Sequence, residues 1–164
     1  MAKIGDPREL FLHKLGAVYT MEQTILDMLE KNEQEAQDPE LKRLLSHHRE
    51  ETQRQVTNIE RAFQALGQEP EGQSCHAIDG LKKEGEHGLR QVEDPLVDHV
   101  LLGGAAEVEH HEIAVYNGLI TKAEAMGEED VAALLRENLE QEEHTLKEVE
   151  EKAQKLTRQM PQRA

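Results

Sequence analysis

The sequence predicts an all-α fold: a bundle of four long helices in two antiparallel hairpins, with an extra short helix in the crossover between them. Three observations carry this. Asp-Pro stands at 6–7, 38–39 and 94–95, and each pair is a helix start. Four stretches carry apolar residues at alternating steps of four and three, the spacing of an inward-facing seam. Aromatic residues are only 2% of the chain and there is no Trp, while Ala, Leu, Glu and Gln are abundant, a composition that favours helices.

The first helix is predicted over 7–35. Asp6 caps it, Pro7 takes the first helical position, and Glu9 stands where a capping box places a carboxylate. Its seam is Phe11, Leu15, Val18, Glu22, Ile25 and Leu29, apolar except at Glu22. The second helix is predicted over 39–66, stopping at Gly67. Its seam runs Leu41, Leu45, His48, Thr52, Gln55, Ile59, Ala62 and Leu66, with Glu51 one turn beyond His48. Residues 68–93 are broken by Pro70 and by Gly72, Gly80, Gly85 and Gly88. They read as loop, a short helix near Cys75–Gly85, and loop, long enough to cross the bundle. The next long helix is predicted over 95–126, opened by Asp94-Pro95 and ended by Gly127. Its seam is Leu101, Ala105, Val108, Glu112, Val115 and Leu119, and Glu109 precedes Glu112 by one turn. The last is predicted over 129–156, with the seam Val131, Leu135, Asn138, Glu142, Thr145, Val149, Ala153 and Leu156.

At 164 residues the chain suits one domain, assigned to 1–160. A formal net charge of −15 disfavours nucleic acid and anionic membranes as partners and favours cations. One cysteine, Cys75, precludes an intrachain disulfide, and nothing beside it marks a nucleophile. No apolar run reaches a membrane span and no signal peptide is visible, so the expected location is the cytoplasm.

Each long helix breaks its apolar seam with a metal-competent residue near mid-length. Glu22 lies about 15 residues before the Gln37-Asp38 turn and Glu51 about 13 after it; Glu112 and Glu142 lie 15 residues either side of Gly127. At ~1.5 Å per residue all four sit roughly 20 Å from their turns. Packed hairpins would gather Glu22, His48, Glu51, Glu109, Glu112 and Glu142 in one layer. A lone seam glutamate is ordinarily a hydrogen-bonded core residue. Five carboxylates and an imidazole in one dry layer need cations, and such a donor set suits iron or manganese better than zinc.

Around these ligands, His47, His110 and His111 point away from the seam, and Glu140 and Glu143 read as solvated. Glu143 replaces Glu142 only if the frame slips by one, and His144 is a candidate neighbour of the site. Gln55 and Asn138 are polar seam positions placed to bond to ligands. Tyr19 and Tyr116 each lie one turn from a seam glutamate, as hydroxyl donors or as plain core packing.

The segments Y-T-M-E-Q at 19–23, H-R-E-E-T-Q-R-Q at 48–55, V-E-H-H-E-I-A-V-Y at 108–116 and L-E-Q-E-E at 139–143 make the chain similar to the YciE/YciF-like group of bacterial ferritin-like proteins. Cys75-His76-Ala77 and Gly80-Leu81 add to the likeness. The resemblance implies a ferritin-like bundle, a homodimer, a di-iron centre held by the six residues above, and a part in stress responses. The chain departs from that group at Gln23, His111 and Leu146, where Lys, an aromatic residue and Asp are usual. The implied chemistry is redox, with O₂ or peroxide, on two iron ions. Two other readings stay open: a stress-associated structural or interaction protein with a stabilising or vestigial metal site, and an iron-storage subunit.

Overall fold

The computed structural model describes residues 3–160, and among them there are five α-helices and no strand. They are α1 (Pro7–Glu35), α2 (Pro39–Ala65), α3 (His76–Arg90), α4 (Val97–Ala125) and α5 (Glu129–Arg158). The first two residues of the 1–160 span lie outside the described residues.

The helix ends follow their local chemistry. Asp6 accepts from the Glu9 N–H at 3.0 Å and Asp38 from the Glu40 N–H at 2.8 Å, so both caps form as predicted. Gly67 and Gly127 take positive φ, 71° and 73°. That turn lets Gln68 N–H reach the Phe63 carbonyl and Glu128 N–H reach the Ala123 carbonyl, at 3.0 and 2.9 Å.

The third Asp-Pro behaves differently. Asp94–Leu96 forms a 3₁₀ turn without a side-chain cap, and α4 begins only at Val97. The reason lies one residue further on. The carboxylate of Asp98 is turned to the α1–α2 connection, where it accepts from Gln37 N–H at 2.7 Å and Asp38 N–H at 2.9 Å. The crossover helix is also longer than predicted, running through Gly85 and Gly88 to Arg90. Buried Ile78 anchors it. Gly88 is where it crosses α4 closely, since a Cβ there would stand 3.1 Å from Val100 Cγ1.

Contacts between ends fix the directions. Asp98 joins the start of α4 to the α1–α2 turn, and Lys152, near the end of α5, lies 2.5 Å from Asp38 and 2.6 Å from Glu40. At the opposite end Arg8 bridges Glu128 at 2.7 Å and the Leu66 carbonyl at 3.0 Å. Each of the four long helices is therefore antiparallel to both of its neighbours: α1 to α2 and α4, and α5 to α2 and α4. The segment before α3 is held to α1 at Gly16, whose carbonyl accepts from Gln73 N–H at 3.0 Å. A Cβ on Gly16 would collide with the Glu71 carbonyl at 2.5 Å.

Most of the core comes from the predicted seams, widened by Met21, Val56, Phe63, Leu102 and Ala132, while Ala105, Ala153 and Leu156 are only half-buried, and one seam is rotated. In α4, Tyr116 is fully buried and Val115 only half-buried. A straight helix turns 3.6 residues per turn, so a 3.5-residue seam drifts by about 20° per heptad and Tyr116 takes over from Val115. The same drift brings Glu109 fully inside.

Candidate metal centre

Half-way along the bundle the apolar core gives way to a polar layer. Glu22, Glu109, Glu112 and Glu142 are fully buried, His48 is 2% exposed and Glu51 is 8% exposed. Each long helix supplies at least one of them.

The tightest group is His48, Glu109, Glu112 and Glu142, with one ligand atom from each within 4.8 Å of all the others. His48 Nε2 stands 3.1 Å from Glu109 Oε1 and 3.7 Å from Glu142 Oε2, without the alignment of a hydrogen bond. Glu22 and Glu51 flank this group. Glu22 accepts from the Tyr116 hydroxyl, and its carboxyl lies close enough to Glu112 and Glu142 for both to perturb it. Glu51 accepts from Thr145 Oγ1 at 3.3 Å and has His47 Nε2 at 3.4 Å, while its charge bears on Glu109.

The electrostatics are those of an anionic site in a dry interior. Burial, reinforced by the charge of Glu142, raises the Glu22 carboxyl to about 8. The Tyr116 hydrogen bond opposes that rise. Burial and the same Glu142 charge hold Glu109 and Glu112 well above the ordinary carboxylate range. Tyr116 is pushed up as well, by its own burial and then by Glu22.

The donor set fits metal ions. Both oxygens of Glu109, Glu112 and Glu142, both nitrogens of His48 and Oε2 of Glu22 are buried without a hydrogen-bond partner. Buried polar atoms are normally satisfied, because an orphan loses its hydration with nothing in return. Here the orphans converge on one another, and a cation among them would satisfy several at once.

The surroundings divide the remaining polar residues. Asn138 donates to the Tyr116 oxygen at 3.1 Å and to the Gln55 carbonyl at 3.2 Å, and accepts from Asn58 at 2.9 Å. So Asn138 reaches a candidate ligand only through Tyr116, and the Gln55 side chain bonds to nothing. Tyr19 turns to Glu60 at 2.9 Å, away from the layer. His144 is exposed and 3.7 Å from Glu148, His110 is exposed and 3.6 Å from Glu150, and Glu143 is exposed. His111 is half-buried with Nε2 unpartnered. Asn58 was not legible as part of the layer. Its one signal was its position three residues after Gln55, the step that also separates Glu51 from His48.

A family model described as a domain of unknown function, DUF892, matches residues 6–161. The chain belongs to the DUF892 family. Protein YciF of Escherichia coli K12 is 32% identical to this DUF892 chain over 139 residues, 84% of each protein. The crystal structure of the E. coli stress protein YciF superposes with a TM-score of 0.90 at 27% identity, covering 96% of this chain and all of that one. YcfI of Rhodopseudomonas palustris, provisionally described as a structural protein, gives a TM-score of 0.88 at 36% identity, over 90% and 95% of the two chains. A protein of Xanthomonas campestris pv. campestris gives a TM-score of 0.73 at 25% identity, over 93% and 94% of the two chains. The similarity to YciF and its relatives thus extends over nearly the whole chain.

Proposed function

We propose that this DUF892 chain is a di-metal carboxylate protein of the stress response, with iron as its metal and manganese as the alternative. One observation carries the reading: imidazole and carboxylate atoms from three helices converge within 4.8 Å, nearly all of them buried and unpartnered. In this reading His48, Glu109, Glu112 and Glu142 form the centre of the site, and Glu22 and Glu51 close its two flanks. Iron bound there would supply redox chemistry toward O₂ or peroxide. Tyr116 would hold the Glu22 carboxylate in place and keep a proton beside it, and Thr145 would orient Glu51. The apolar seams above and below would exclude bulk water. Stress association comes from similarity to YciF.

We further place the protein in the cytoplasm as a single-domain homodimer. Among the described residues no helix is long and apolar enough to cross a membrane, and the charge of −15 repels nucleic acid. A structural role with a stabilising metal is the second reading, supported by the description of YcfI.

Metal analysis of protein purified from iron-replete cells tests the proposal, with two irons per chain expected. Peroxide consumption by that protein separates a redox protein from a structural one. Protein that takes up no iron or manganese would overturn the reading, and a closed multi-subunit shell in light scattering would replace it with iron storage.

A further inference from the structure

A cavity of about 370 Å³ lies between α1, α3 and α4, with His48 and Glu109 on its floor. Its walls are mainly apolar, from Ile25, Leu29, Leu81, Leu89, Leu101 and Val108. We propose that this cavity binds a small, neutral, apolar organic molecule, a medium-length alkyl chain, with one end against His48 and Glu109. Its role as a substrate pocket rests on the metal reading above; the binding itself does not.

Two helical glycines carry the argument. Gly85 in α3 and Gly104 in α4 both line the cavity. Glycine inside a helix weakens it, and usually a close crossing explains its presence. That explanation holds for Gly88, which meets Val100. It fails for Gly85 and Gly104, because a Cβ at either would meet nothing within 4 Å; Gly80 and Gly103 are equally unobstructed but lie on the exposed surface, whereas Gly85 and Gly104 are half-buried. What those two glycines keep is empty space above the carboxylate layer.

The size and charge of the space select the occupant. Its volume sits at the lower end for small-molecule pockets, and such pockets are mostly apolar with a few convergent polar groups. Lys31, Lys82 and Arg90 are largely offset by Glu35 and Glu86, so the lining does not strongly favour an ion of either sign. Lys31 and Glu86 already face each other at 3.8 Å.

Methionine-methyl NMR with 1-octanol as the probe tests this. Met28 lines the cavity, whereas Met126 lies at the α4–α5 turn. In chelator-treated protein the Met28 methyl should shift saturably on titration while the Met126 methyl stays put. Gly104→Leu and Gly85→Leu fill the space from opposite walls, and each should abolish the shift while leaving iron stoichiometry unchanged. If one variant fails to fold, the other carries the test. An absent or unsaturable Met28 shift, equal shifts at Met126, or an undiminished response in a folded variant would overturn the proposal. Octanol binding by a protein that takes up no iron would leave the pocket standing and sink the metal reading; iron uptake without octanol binding would do the reverse.

Discussion

The hydroxyl of Tyr116, on α4, donates to the carboxylate of Glu22, on α1, in the fully buried middle of the bundle. Asn138 of α5 donates to that hydroxyl at 3.1 Å, and Asn58 of α2 donates to Asn138 at 2.9 Å. One chain of hydrogen bonds therefore crosses all four long helices and ends on a candidate ligand. Tyr116→Phe leaves Glu22 and Asn138 each short of a partner in the dry core. It should cost about 1–3 kcal/mol in urea unfolding. It should also raise the Glu22 carboxyl further, because the lost bond opposes the effect of burial.

Glu112 and Glu142 should be indispensable for metal binding, and Glu128 and Glu150 dispensable. The first two are fully buried beside His48, whereas Glu150 is exposed and Glu128 forms a surface ion pair with Arg8. Glu112→Gln and Glu142→Ala should lose stoichiometric iron in metal analysis. Glu128→Ala should keep it at a stability cost of under about 1 kcal/mol. The Gln variant keeps the shape, so its loss would report charge rather than volume. A Glu112→Gln protein that still holds two irons as tightly as the wild type would refute the di-metal reading.

The metal-free protein should be more stable at pH 5.5 than at pH 8. The folded carboxyls of Glu22, Glu109 and Glu112 lie above their ordinary 4.5, with Glu22 at about 8. The folded state therefore holds protons that the unfolded chain releases, and stability falls as pH rises through that window. Metal should reverse the slope, because protons compete with the cation for the same oxygens. Melting curves at the two pH values, with and without chelator, measure both signs. Identical curves with and without chelator would argue against a bound site.

Asp98→Ala should destabilise the protein by about 3 kcal/mol, since two backbone N–H groups of the α1–α2 turn lose a charged acceptor. Asp98→Asn keeps one acceptor oxygen and should cost about half as much. Iron stoichiometry should be unchanged in both, because the contact lies at the end of the bundle.

Most of this was legible in the sequence because heptad spacing and end chemistry are local signals. Every seam residue predicted for α1 and α2 is buried, although Met21, Val56 and Phe63 join the core from outside those seams, and Asp6, Asp38, Gly67 and Gly127 mark ends that the folded chain obeys. All six candidate ligands are buried in or beside one layer, as equal depth from the turns requires. What escaped depends on neighbours distant in sequence. Asp98 looks like an ordinary first-turn acid until the α1–α2 turn arrives against it. Tyr116 is a shoulder position by heptad count and moves inside only through helical drift. Gly85 and Gly88 look like helix breakers because their spacing does not reveal the α4 surface on which α3 lies.

The buried carboxylate layer has a consequence for the lifetime of the native state. Glu22 and Glu142 are 120 positions apart, yet the charge of Glu142 bears on Glu22. The hairpins α1–α2 and α4–α5 close through short turns, and neither alone contains all four residues of the central group. A metal ion shared between them would come late, after most of the surface is already covered. Interactions absent from the transition state slow unfolding and leave the folding rate nearly untouched. Loaded protein should therefore persist far longer in denaturant than its equilibrium stability alone would suggest, and escape would be timed by release of the ion.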